Sequence, residues 1–189
     1  MALDILVLYG SYRSGRLGIR LADYLIRGFE ALGHRASLVD AKAIDLPMLD
    51  LRYSDYPAGE APATMAALAD RLAAADAFIF VAGEYNRGMQ PGLKNLVDHY
   101  LKEFDRRPAA IASYSAGRFA GVNSHADWTV TLSAMGMAVV PERLSVGQIG
   151  QTLDEEAMPQ GASGAALERG FAGFADNLIW WAEAAKARR

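Results

Sequence analysis

Three polar, glycine-containing segments follow apolar runs directly, and their residue types suit holding a ligand better than attacking one. The first is Gly10-Ser11-Tyr12-Arg13-Ser14-Gly15-Arg16-Leu17-Gly18. It leaves the run Ile5-Leu6-Val7-Leu8-Tyr9 and opens a helical pattern. It offers backbone N–H groups, the hydroxyls of Ser11 and Ser14, and the guanidinium groups of Arg13 and Arg16. A helix N-terminus adds partial positive charge, so the assembly suits an anion and above all a phosphate, which arginine can grip with two parallel bonds. The segment lacks the Gly-Lys-Ser/Thr of a Walker A loop, and Tyr12 stands where G-x-G-x-x-G requires its second glycine. A terminal phosphate therefore fits better than a pyrophosphate or a nucleoside triphosphate. The same residues also fit a plain turn with solvated arginines. The strand–loop–helix context favours the phosphate.

The second segment, Gly83-Glu84-Tyr85-Asn86-Arg87-Gly88, continues into Met89-Gln90-Pro91-Gly92-Leu93-Lys94-Asn95-Leu96-Val97-Asp98. Tyr85 offers a flat, partly apolar face, while Glu84 and Asn86 offer donors and acceptors. A polar heteroaromatic ring suits that mixture, although each residue alone also fits an ordinary polar loop. The third segment, Ser115-Ala116-Gly117, is small enough to let a ring approach the backbone. Lys94 and Asp98, spaced i and i+4, read as a surface pair, and spacing assigns Asn95 no role.

Composition narrows the chemistry. The 189 residues contain no cysteine and three widely separated histidines, His34, His99 and His125. Disulfides, thiolate nucleophiles, cysteine-bound iron–sulfur clusters and thiolate zinc sites are excluded. Redox work would need a bound organic cofactor, and no carboxylate cluster suggests a metal hydrolase. A net charge of −3 argues against general nucleic-acid binding. The longest apolar run, Ala77 to Ala82, falls far short of the roughly 20 residues that cross a bilayer. The N-terminal Met1-Ala2-Leu3-Asp4 has no signal-peptide character. Cytoplasmic placement, with neither membrane nor nucleic acid as partner, is the expectation.

The positioning elements are short β-rich runs alternating with helical patterns. Strands are expected at residues 5–9, 36–40, 77–82, 109–114 and 137–140. Helices are expected from Leu17 to Leu32, with Gly33 as cap, and over 62–75, 91–104, 119–135 and 164–187. Residues 45–59 and 145–162 read as irregular. This alternation implies one α/β domain over 1–189, with a parallel sheet covered on both faces and ligands at the carboxyl ends of its strands. Trp180 and Trp181 read as core or interface residues and Met135 and Met137 as core. His125 and Trp128 fit a cleft or a core equally, as Tyr53 and Tyr56 fit a lid or a subunit contact.

Taken together, the segments resemble the NADPH-dependent FMN reductase family. Its opening Gly-Ser-x-Arg is matched by Gly10-Ser11-Tyr12-Arg13. Its Pro-Glu-Tyr-Asn and Pro-Gly-x-Leu-Lys-Asn-x-x-Asp are matched by Gly83-Glu84-Tyr85-Asn86 and Pro91-Gly92-Leu93-Lys94-Asn95-Leu96-Val97-Asp98. Its Ser-x-Gly-x-x-Gly-Gly is approximated by Ser115-Ala116-Gly117-Arg118-Phe119-Ala120-Gly121, and residues 44–50 resemble its loop after the second strand. The likeness runs from about residue 4 to 145. The chain departs from the pattern where Gly83 replaces proline, where Arg16-Leu17-Gly18 replaces a further Ser or Asn, and where Gln90 precedes Pro91 with the proline–leucine spacing shortened by one.

The resemblance implies a flavodoxin-like three-layer sandwich with a five-stranded parallel sheet in the order 2-1-3-4-5. It also implies FMN as cofactor, with its phosphate on Ser11 and Arg13 (Arg16 is the neighbouring candidate). The flavin ring would lie against Gly83, Glu84, Tyr85 and Asn86, and Ser115, Ala116 and Gly117 would sit at the opposite rim. NADPH or NADH would be the co-substrate and a small-molecule electron acceptor (a flavin, a quinone or similar) the second substrate, and FMN itself would carry the chemistry. Assembly as a homodimer or homotetramer is implied as well, with the Lys94–Asp98 helix a candidate contact. The rival readings are an FMN-holding electron carrier without nicotinamide activity and a non-redox module for a phosphate ligand.

Overall fold

A computed structural model describes residues 1–189. The first strand, β1 (Asp4–Tyr9), is apolar on both faces because both are covered. It pairs in parallel with β2 (Arg35–Asp40) and β3 (Ala77–Tyr85), and β3 pairs in parallel with β5 (Pro108–Tyr114). Beyond β5 lie β6 (Ala138–Val139) and β7 (Leu144–Val146). A two-residue strand β4 (Gly88–Met89) folds back on β3. Leaving out that hairpin, the order is β2-β1-β3-β5-β6, the 2-1-3-4-5 arrangement expected.

Alternating side chains of β1 enter opposite layers. Ile5, Val7 and Tyr9 pack with Leu21, Leu25 and Phe29 of α1 (Gly18–Ala31) and with Phe174 and Leu178 of α7 (Gly161–Lys186). Leu6 and Leu8 share a core with Leu68 and Leu72 of α3 (Ala63–Ala74), Leu93 and Leu96 of α4 (Pro91–Asp98), and Trp128 and Leu132 of α5 (Val122–Ala134). Gly33, at φ +85°, ends α1 where the cap glycine belongs, and its N–H donates to the Glu30 carbonyl. No helix is long and apolar enough to cross a membrane.

Several expectations need correction. The expected fifth strand, 137–140, is confined to Ala138–Val139, and after residues 140–143 a further strand, Leu144–Val146, extends the same edge. Pro141, which has no N–H to donate, lies in that gap. The third strand continues past Ala82 to Tyr85, so the expected loop at Gly83 is the arm of a hairpin. The helix expected to reach residue 104 stops at Asp98. There the His99 ring Nδ1–H takes the Asn95 carbonyl at 2.7 Å and the His99 carbonyl accepts from Tyr53 N–H at 2.8 Å. The segments expected to be irregular hold a 3₁₀ turn at Tyr53–Asp55 and a short helix α6 (Ile149–Thr152). A further short helix, α2 (Ala41–Ile44), is capped by the Asp40 carboxylate, which accepts Lys42 N–H at 3.0 Å. Trp128 is core, with its ring 5.3 Å from that of Phe80. Trp180 and Trp181 are not core: they stand in edge-to-face contact on the outer face of α7, 62% and 37% exposed. Tyr53 packs on Tyr100.

Candidate functional site

The register brings the carboxyl ends of the central strands level. Tyr9 lies opposite both Asp40 and Val81, and Gly83 lies opposite Tyr114. The loops leaving these ends border an open cleft lined by Ser11, Arg13, Arg16, Gly83, Glu84, Tyr85, Ser115 and Ala116 together with Gly15, Leu17, Tyr114 and Ile149. Eight of the ten sequence candidates thus share one cleft. Asn86 and Gly117 lie just outside it.

Glycines hold the first loop against α4. A Cβ on Gly10 would lie 2.2 Å from Leu93 N, and one on Gly92 would lie 2.5 Å from the Gly10 carbonyl oxygen. The helix N-terminus therefore approaches the loop as closely as only hydrogen side chains permit. No backbone N–H from Ser11 through Leu17 donates to a protein acceptor. Ser11 is 2% exposed and its hydroxyl shares a 2.8 Å hydrogen bond with the Tyr85 hydroxyl, linking the first loop to the second.

The two arginines of the loop have different surroundings. Arg16 is clamped by both oxygens of Asp40, each at 2.7 Å, with its guanidinium 5.6 Å over the Tyr9 ring. The bond to Asp40 raises the Arg16 pKa further. Arg13 is exposed at the cleft and pairs with no carboxylate, so it is the free cation.

Glu84 is partly committed to the fold. Its carboxylate accepts Asn123 N–H at 2.9 Å and the Asn123 side-chain amide at 3.1 Å. It thereby caps the first turn of α5, where no local side chain does so. Asn86 and Arg87, at φ 50° and 67°, form the two-residue turn between β3 and β4. Asn95, without a role by spacing, anchors the segment after the second strand. Its Oδ1 accepts Leu49 N–H at 2.9 Å and its Nδ2 donates to the Pro47 carbonyl at 2.8 Å. Lys94 and Asp98 make the expected helix pair at 2.6 Å.

Two departures from the family pattern touch each other. A Cβ on Gly83 would lie 2.3 Å from Gln90 Nε2. That nitrogen donates at 2.7 Å to the Tyr114 hydroxyl, while Gln90 Oε1 has no partner. Gln90 is fully buried. Burial pushes the Tyr114 hydroxyl far above its ordinary pKa and also raises that of Tyr9. Both are neutral hydroxyls near pH 7, well below the ordinary tyrosine pKa of about 10.

The sequence marks neither Tyr114 nor Asp40 as a site residue, and it shows Gln90 only as a departure from the family pattern. Position at a strand's carboxyl end could have found Tyr114. No local signal marks Asp40, whose role depends on β1–β2 pairing.

The family model described as NADPH-dependent FMN reductase matches residues 3–151. An NAD(P)H-dependent FMN reductase of Schizosaccharomyces pombe is 35% identical over 117 residues, 58% of this chain and 56% of the relative. One of Pseudomonas aeruginosa is 34% identical over 121 residues, 62% of each chain. The alignments thus span less than two thirds of these relatives' lengths. Among solved structures, the flavoenzyme NAD(P)H:(acceptor) oxidoreductase FerB from Paracoccus denitrificans aligns with a TM-score of 0.77 at 23% identity, covering 96% of this chain and 98% of FerB. A flavodoxin from Pseudomonas aeruginosa aligns with a TM-score of 0.57 at 16% identity over 94% of this chain and 99% of its own. At those identities the structural likenesses establish the flavodoxin-like fold.

Proposed function

The chain belongs to the NADPH-dependent FMN reductase family, and from that premise we propose that it is an FMN-dependent NAD(P)H oxidoreductase that reduces a small acceptor such as a flavin or quinone. One observation carries the reading: the uncommitted row of amides from Ser11 to Leu17 surrounds an unpaired Arg13, within a cleft shared with Tyr85 and the Ser115–Ala116 segment. That donor set fits a dianionic phosphate joined to a planar polar ring.

Ser11, Arg13 and the loop amides would hold the phosphate. Arg16, neutralised by Asp40, would brace the loop from behind. Gly83, Glu84, Tyr85 and Asn86 would border the ring on one side, and Ser115, Ala116 and Gly117 on the other. Bound FMN would supply the two-electron chemistry, with NADPH or NADH as hydride source. For a quinone the balance is NAD(P)H plus H⁺ plus quinone giving NAD(P)⁺ plus hydroquinone. The side chains then need only bind, orient and exclude water, in keeping with a sequence free of cysteine. The same proposal has the chain acting as one domain in a homodimer or homotetramer of the cytoplasm.

The test is colour. Purified protein mixed with FMN turns yellow in the retained fraction after gel filtration, and anaerobic NADPH or NADH bleaches it. A protein that retains no FMN would refute the reading. A yellow protein that neither nicotinamide bleaches would favour the electron carrier.

A further inference from the structure

The loop after β5 carries features beyond what a flavin rim requires. Its carbonyl side is pinned, because Gln148 N–H donates to the Gly117 carbonyl at 2.8 Å and Ile149 N–H donates to the Ser115 carbonyl at 3.1 Å. A Cβ on Gly147 would lie 2.9 Å from the Arg118 carbonyl oxygen, so the backbone is seated tightly there. The opposite side of the loop is free: no backbone N–H from Ala116 through Gly121 donates to a protein acceptor. Ala120 and Gly121, at φ 55° and 74°, turn the chain at the end of this row of amides.

Two residues past the cleft-lining Ala116, the Arg118 guanidinium lies 4.9 Å over the ring of Phe119. Arg118 is exposed and Phe119 is 65% exposed. A guanidinium stacked on a phenyl ring, with neither covered by protein, is a ready platform for a second flat ring bearing negative charge.

We propose that Arg118, Phe119 and the free amides from Arg118 through Gly121, beyond the residues that border the flavin, form the docking lip for the electron acceptor and select planar aromatic acceptors that carry an anionic group, such as a sulfonate or carboxylate. The inference rests on the flavin-dependent reading of the cleft. Phe119 supplies the stacking face, and Arg118 with the loop amides supplies the counter-charge. The lip offers one ring and one guanidinium, which suits a compact aromatic anion better than a dinucleotide with its pyrophosphate and adenine. The acceptor ring enters beside Ala116, at the edge of the cleft where electrons must leave.

The experiment compares 1,4-naphthoquinone with its 2-sulfonate in steady state on the FMN-loaded protein. It adds calorimetric binding of naphthalene-2-sulfonate, which needs no turnover. The wild type shows a lower KM for the sulfonate. Arg118→Gln raises the ratio of sulfonate to neutral KM about fivefold, the upper range of one exposed charge interaction. Arg118→Lys restores part of the preference, and added salt erodes it in the wild type. Phe119→Ala raises KM for both quinones and weakens naphthalene-2-sulfonate binding. A KM ratio unmoved by Arg118→Gln, with sulfonate binding also unmoved, would overturn the proposal. So would an effect confined to the KM for NADPH or NADH, which would assign the lip to the nucleotide. A change of oligomeric state in Phe119→Ala, with quinone kinetics unchanged, would assign Phe119 to a subunit contact and overturn it too. Failure of NADPH or NADH to bleach the wild type refutes the flavin reading itself. Bleaching followed by charge-blind acceptor kinetics refutes only the lip.

Discussion

The two ends of the sheet use the same side chains in opposite ways. At the amino ends of the strands nearly every cation is saturated. Asp76, just before β3, binds Lys186 at 2.6 Å, Arg189 at 2.7 Å and Asp4 N–H at 3.0 Å. Arg35 pairs with Asp4 at 2.6 Å, and Arg107 donates to the carbonyls of Ala73 and Ala75 where α3 ends. At the carboxyl ends, Arg13 and Arg118 are unpaired and two rows of amides donate to nothing in the protein. Chain polarity explains the contrast. In a βαβ unit the helix returns to the amino end of the next strand, so its unpaired carbonyls gather there and draw in arginine and lysine from the same chain. The carboxyl ends lead into helix starts, whose spare N–H groups require an acceptor that the acid-free segments 10–18 and 115–121 do not supply. One end is therefore closed by the protein itself, and the other is left for a ligand.

Mutations that separate binding from folding test this division. The largest expected effect is at the open end. Arg13→Ala removes a charge-assisted hydrogen bond to the phosphate and weakens FMN binding by about 1.5–3 kcal/mol, while the melting temperature of the FMN-free protein stays unchanged. Equilibrium FMN titration and thermal melts read the two quantities, and a stability loss matching the affinity loss would break the comparison. At the closed end the pattern reverses. Asp76→Ala costs about 1–2 kcal/mol of stability, since two cations and one N–H are deprived of a shared acceptor, and FMN affinity holds.

The acid limb sharpens that second case. Burial by itself raises the Asp76 pKa, but the Lys186 bond, the Asp4 N–H and the Lys186 and Arg189 charges outweigh it and hold the carboxyl below its ordinary value. Its stabilisation is complete above the unfolded carboxylate pKa of about 3.9 and is lost as pH falls through the lower folded value. Asp76→Asn flattens the fall of melting temperature below about pH 4. An unchanged acid limb would remove Asp76 from the clamp.

Glu84 straddles the division, facing the cleft while capping α5. Glu84→Ala costs about 1 kcal/mol of stability, typical of a removed helix cap. Glu84→Gln keeps an acceptor for Asn123 N–H and is less damaging. Denaturant midpoints for the pair decide whether Glu84 serves the fold as well as the site.

The open end was the more legible in the sequence. Glycines, serines and arginines after apolar strands stand out by type and spacing, and eight of ten candidates line one cleft. The closed end passed unremarked, because Asp4, Asp76, Arg107 and Arg189 are scattered charges until the strands align. The edge's continuation at Leu144–Val146 was missed for a related reason. Three residues are too few for a periodic signal, and only pairing with β5 joins them to Ala138–Val139 as one edge.

What the sequence by itself determined is the alternation that builds a doubly covered parallel sheet, the loops that must gather at its carboxyl ends, and the family those loops indicate. Local pattern suffices there, because strand, helix and turn preferences act between near neighbours. What only the tertiary structure decided is which members of each loop are free. Arg13 and Arg16 are indistinguishable by type. The β1–β2 register sets Asp40 opposite Tyr9, within reach of one guanidinium and not the other. Likewise Gly83 and Gln90 read as two separate departures until the hairpin laid one on the other. Commitment of a charge or an amide is a property of its partners, and those partners lie at sequence distances that no local pattern spans.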